Sequence, residues 1–261
     1  MIREHGSLWK MAGTIFAPPR IGTMLLWAIC FCPVARGVGS IYSREHFQAV
    51  KDHLTSGGVF CQWFPLYQLG EKEFMIVAAT FLDVFPNATV WRNDFNASLP
   101  KAALIGIKEP VPSVASIEKR IRGFSESGLT DLWVTDPRRF WMFYVGPLAA
   151  AHDDLAFVQR NTDNEPIFEF YSGRITSSDC DELVFSKWPA FADKLWVSRS
   201  NDPVFPDRPS GTRGGAVLAH ANLIALSQNR LELQRIIEEI RSLVPEDILS
   251  VRDPTVSMVW P

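Results

Sequence analysis

Cysteine is scarce in this chain of 261 residues, and the four cysteines form no recognisable pattern. They are Cys30, Cys32, Cys61 and Cys180. No CxxC pair occurs, and no cysteine–histidine spacing is of the kind that encloses zinc. Because unpaired cysteines are among the most buried residue types, we expect reduced, mostly buried thiols. The sequence therefore argues against a disulfide scaffold and against a structural zinc site.

Excess positive charge and long apolar runs are also missing. Lysine and arginine number 26 against 29 acidic residues, a formal net charge of -3, which argues against a nucleic-acid partner. The most apolar run, TMLLWAICFCPV at residues 23–34, is shorter than the roughly 20 residues of a membrane-spanning helix. The N-terminus has no secretory pattern. These features predict a cytoplasmic protein with no membrane span.

Several stretches are similar to catalytic or metal-binding motifs but lack a required residue or spacing. The stretch GFSESG at residues 123–128 misses the GxSxG pattern by one position, and GTRGG at 211–215 lacks the P-loop lysine. His46 and His53 are seven residues apart, whereas paired helical metal ligands usually stand four apart. The acidic stretch 163–169 is more typical of a turn that bonds its own backbone. We therefore expect no metal site.

Apolar residues make up 47% of the chain, enough for a packed core, and their spacing predicts alternating strands and helices. Ser43 is suited to cap a helix that ends near Gly57, and Pro86 ends a second helix. Residues 59–63, VFCQW, are apolar on both faces apart from Gln62, as in a strand covered on both sides. Strands are expected at residues 24–31, 59–63, 88–92 and 102–107, and helices at 43–57 and 74–85.

The pattern changes beyond residue 112. Short helices are expected at residues 114–121 and 138–145, a strand-like segment at 161–171, and helix at 216–243 with a break near 227–229. We therefore expect three regions. They are a leader at 1–22, an α/β unit at 23–112, and a mainly helical region at 113–261.

One stretch resembles a known family. Residues 37–69, GVGSIYSREHFQAVKDHLTSGGVFCQWFPLYQL, are similar to the spermidine synthase-like family, the polyamine aminopropyltransferases and their relatives. The matching positions are Phe31, Pro33, Gly37, Gly39, Ser40, 42–47, 57–60 and 62–66. A second similarity, to the Asn-Thr-Asp-x-x-Pro-x-x-Glu-Phe of larger members, lies at Asn161, Thr162, Asp163, Pro166, Glu169 and Phe170.

The resemblance implies a fold, a reaction and a set of substrate-binding residues. The fold would be an incomplete Rossmann-like sheet of the class I methyltransferase type, closed by an antiparallel last hairpin. The co-substrate would be decarboxylated S-adenosylmethionine and the acceptor a polyamine. Gln62, Trp63, Tyr42 and Tyr67 would line the acceptor pocket. A core role for Trp63 and a hydrophobic staple between Tyr42 and Phe47 are the alternatives.

The chain departs from the family at two places. The position of the family's catalytic aspartate is Ile29, which cannot accept a proton. No glycine-rich cofactor loop precedes Gly37, so the chain looks like the carboxyl-terminal half of a family member. We expect weak or absent transferase activity. The alternative is a non-catalytic interaction module, which self-associates through the exposed edge of the strand at 24–31.

Overall fold

A computed structural model describes residues 26–28, 39–95, 100–126, 128–129, 131–172, 184–198, 202–207, 209, 211–226 and 230–245. Within these ranges the fold is mixed α/β, built on one five-stranded sheet. The strands are β1 (Leu26–Ala28), β2 (Val59–Pro65), β3 (Thr89–Asn93), β4 (Lys101–Ile107) and β5 (Tyr144–Pro147). The predicted leader and Ile29 lie outside the described residues, as do Cys30, Cys32 and Cys180.

The sheet has the order β1-β2-β4-β3-β5. β1 runs parallel to β2, with Ala28 opposite Gln62. The other neighbouring strands are antiparallel, so β2, β4, β3 and β5 form a four-stranded antiparallel unit. β2 is buried along its whole length, which explains why its sequence is apolar on both faces.

Ten α-helices surround the sheet in the part of the chain that is described. They are α1 (Arg44–His53), α2 (Glu71–Val84), α3 (Val114–Glu126), α4 (Leu132–Thr135), α5 (Pro137–Trp141), α6 (His152–Leu155), α7 (Ile167–Ser172), α8 (Val184–Ser198), α9 (Thr212–Leu226) and α10 (Arg230–Leu243). Two 3-10 helices, Gly39–Tyr42 and Leu148–Ala151, precede α1 and α6.

Two hydrophobic cores lie on opposite faces of the sheet. Helices α1, α2 and α6–α8 contribute to the first core, which contains Phe60 and Phe64 of β2. Helices α3–α5, α9 and α10 contribute to the second, which contains Cys61 and Trp63. Because side chains alternate along a strand, β2 supplies both cores from successive residues.

Most predicted elements are confirmed, with shifted ends. Ser43 caps α1, since its side chain accepts a hydrogen bond from the His46 N–H at 3.1 Å. Gly57 is left-handed, with φ of 72°, and its N–H donates to the Lys108 carbonyl at 2.7 Å. Helices α9 and α10 flank the predicted break at 227–229, which itself lies outside the described residues.

Two predictions for the region after residue 112 are wrong. Residues 138–145 were expected to be helical, but α5 ends at Trp141 and Tyr144 begins β5, an added strand of the sheet. The segment expected to be strand-like, 161–171, contains α7 instead. Both segments are short and apolar, and such segments take the structure that the surrounding core imposes.

Candidate functional site

The two stretches that carry the family resemblance lie together in the structure. Asn161 is fully buried and its side-chain Nδ2 donates to the Gly39 carbonyl at 2.8 Å, across 122 positions of sequence. Its Oδ1 accepts from the Phe168 N–H at 3.1 Å, and its backbone N–H donates to the Thr80 hydroxyl at 3.0 Å. The backbone carbonyl of Asn161 accepts a hydrogen bond from the Arg44 N–H at 2.9 Å. One asparagine therefore joins the first 3-10 helix to α1, α2 and α7.

Glu169 makes a second connection between these stretches. Its Oε1 accepts a hydrogen bond from the Gly39 N–H at 3.3 Å. A Cβ atom at residue 39 would lie 2.4 Å from the Glu169 Cγ, so glycine permits this close approach. A third hydrogen bond lies at the exposed surface, where the Asp163 N–H donates to the Glu45 carboxylate at 3.0 Å. Together these contacts fix the position of the chain that leads into Tyr42.

Tyr42 is buried in the first core. Its ring lies 4.7 Å from the Phe168 ring and 6.0 Å from the Phe64 ring, centroid to centroid. Phe47 belongs to the same core. Tyr42 therefore packs in an aromatic cluster with Phe168 and with Phe64, the β2 residue two positions beyond Gln62, and its staple with Phe47 stays a prediction.

Gln62 is fully buried and is the central residue of β2, Val59–Pro65. Its Nε2 donates to the Trp63 carbonyl at 3.2 Å, whereas its Oε1 has no hydrogen-bond partner among the described residues. A buried acceptor without a donor is costly, by about 1–3 kcal/mol. Its position between Phe60 and Phe64 places the side chain on the face that also holds Tyr42.

The structure does not bring all four predicted substrate-binding residues to one face. Trp63 belongs to the second core, on the opposite side of the sheet from Gln62. Tyr67 is half-buried in the turn between β2 and α2. Tyr42 and Gln62 are therefore the two that share a face, and period-2 alternation along β2 is the signal that separates Gln62 from Trp63.

Sequence reasoning missed a buried ion pair on that same face, at the end of β3. Arg92 Nε lies 3.1 Å from Asp94 Oδ1, and both side chains are less than one-tenth exposed. The Trp188 indole N–H donates to the Asp94 carboxylate at 2.6 Å. The signal was present in the sequence, because Arg92 and Asp94 are two charges at alternate positions at and just beyond the end of β3.

Two titratable groups near β2 have perturbed pKa values. Burial lowers the pKa of His46, and the nearby Asp163 carboxylate opposes that shift. Burial alone raises the pKa of the Cys61 thiol to about 12, so this thiol stays protonated at neutral pH. Cys61 is therefore unsuited to nucleophilic catalysis.

The described residues contain no group of three or more histidine, cysteine or acidic side chains placed to hold a metal ion. Likewise, among those residues no helix is both long and apolar enough to span a membrane. Comparison with known proteins finds no matching family model and no matching curated protein.

What the site offers chemically is therefore limited and specific. The amide side chain of Gln62 can orient a hydrogen-bond donor but cannot act as a base, because an amide oxygen accepts a hydrogen bond without taking the proton. On the face that holds Tyr42, Gln62 Oε1 is a buried amide acceptor without a hydrogen-bond partner among the described residues.

Proposed function

We propose that this chain is a spermidine synthase-like protein, descended from enzymes that transfer an aminopropyl group from decarboxylated S-adenosylmethionine to a polyamine. The contact between residues 39–42 and 161–169 is the observation that supports this best. Gly39 bonds to Asn161 and Glu169 across 122 and 130 positions of sequence. Two chance resemblances in unrelated stretches would not be expected to meet in space.

The sheet is compatible with this proposal. β1 and β2 are parallel and connected through α1, and β3 and β4 form an antiparallel hairpin. A Rossmann-like sheet that ends in an antiparallel hairpin would have such neighbours. We therefore propose a Rossmann-like sheet, in which further strands would pair along β1.

The proposed reaction needs a positioned amine and a proton acceptor. The amine nitrogen attacks the propyl carbon bonded to the sulfonium sulfur, and the carbon–sulfur bond breaks with its electron pair left on sulfur. The nitrogen then loses a proton, which in the family goes to the catalytic aspartate. Gln62 Oε1 would accept a hydrogen bond from the amine and orient it. With isoleucine at position 29, we propose that turnover is weak or absent.

Calorimetric titration with methylthioadenosine, the nucleoside product, tests the proposal. Micromolar binding to the folded chain would support descent from this family with a nucleoside pocket retained. In that case Ile29→Asp should raise the rate by about a hundredfold or more, because a general base contributes on that scale. Ile29→Asn is the matched control and should not. A folded sample that produces no heat would overturn a retained nucleoside site, and with it even a weak turnover by this chain.

A second candidate function is an interaction module that self-associates through β1. Within the described ranges β1 pairs with a strand on one side only, whereas β5, the last strand at the other end, is packed by α8 and α9. A strand edge with unpaired backbone groups is a template for another strand. Sedimentation equilibrium over a hundredfold range of concentration should then show a dimer. A monomer at every concentration would overturn this candidate.

A further inference from the structure

We draw no further inference here: the strongest candidate, the apolar groove of about 450 Å³ between α2, α6 and α8, is bordered by exposed surface ion pairs, and nothing in the structure shows what covers it.

Discussion

Gly215 in α9 offers a direct test of how the helices are packed on the sheet. An added Cβ atom at this position would lie 1.9 Å from the Met142 carbonyl oxygen and 2.7 Å from its carbonyl carbon. Met142 leads from α5 into β5, so α9 rests against the backbone of the chain that enters the sheet. We predict that Gly215→Ala destabilises the protein, although alanine is ordinarily the better helix former.

The size of the effect follows from two opposed terms. Alanine in place of glycine inside a helix gains about 0.5–1 kcal/mol. To avoid the clash, α9 must move away from Met142 by at least about 1 Å, because non-bonded heavy atoms approach no closer than about 3 Å at reasonable energy. Such overpacking typically costs about 1–3 kcal/mol, and here the obstacle is backbone rather than a flexible side chain. Because backbone yields less than a side chain, we take the upper end of that range, and the net loss in the free energy of unfolding should be about 2 kcal/mol.

The assay is urea unfolding followed by circular dichroism, with the thermal midpoint as a second readout. A loss of about 2 kcal/mol corresponds to roughly 4–8 °C in a protein of this size. Gly123→Ala is the matched control, since Gly123 lies inside α3 and an added Cβ atom there meets nothing within 4 Å. That variant should gain about 0.5–1 kcal/mol. If Gly215→Ala proves as stable as Gly123→Ala, the close contact between α9 and Met142 is refuted.

Three further predictions concern buried polar and titratable groups. Asn161→Ala should lower the free energy of unfolding by roughly 3 kcal/mol in urea, because it leaves the buried Gly39 carbonyl and Phe168 N–H without these partners. The exposed control Asn164→Ala should show no comparable loss. The pKa of His46 is lower in the folded state than its ordinary value, so the unfolded state binds more protons and stability should fall as the pH drops below about 6.5. In unfolding curves measured at pH 7.5 and 5, His46→Gln should reduce this fall, and an unchanged difference would contradict the assignment. Because burial raises the pKa of Cys61 to about 12, peptide mapping should find this thiol unmodified by iodoacetamide at pH 8 until the protein unfolds, and labelling at the denatured rate would contradict its burial.

The predictions that succeeded came from strong local patterns. Helix α2 carries apolar residues at steps of three and four and stops before Pro86, and α1 begins after a serine that caps it. β2 is apolar on both faces because two cores cover it. In each case the residues that determine the element lie within or next to it, so one sequence is enough to identify it.

The failures were elements whose structure depends on distant residues. β5 has only four residues, and it is a strand because β3 pairs with it. Gly146 also allows α8 to approach, since an added Cβ atom at this position would lie 2.9 Å from the Leu195 carbonyl oxygen. Helix α7 begins where Asn161 accepts the Phe168 N–H, a bond that stabilises its first turn. The spacing of apolar residues within these segments does not reveal that β3 pairs with β5 or that Asn161 bonds to α7.

The sequence by itself determined the alternation of strands and helices from β2 to β4, the cap of α1, and the two stretches that resemble one family. Only the tertiary structure decided that these stretches meet through Asn161 and Glu169, and that Gln62 rather than Trp63 lies on the face of the sheet that holds Tyr42. It also decided that Arg92, Asp94 and Trp188 form one buried group. Periodicity is local because it reflects which side of an element is buried. The pairing of polar groups more than 90 residues apart depends on how the whole chain packs.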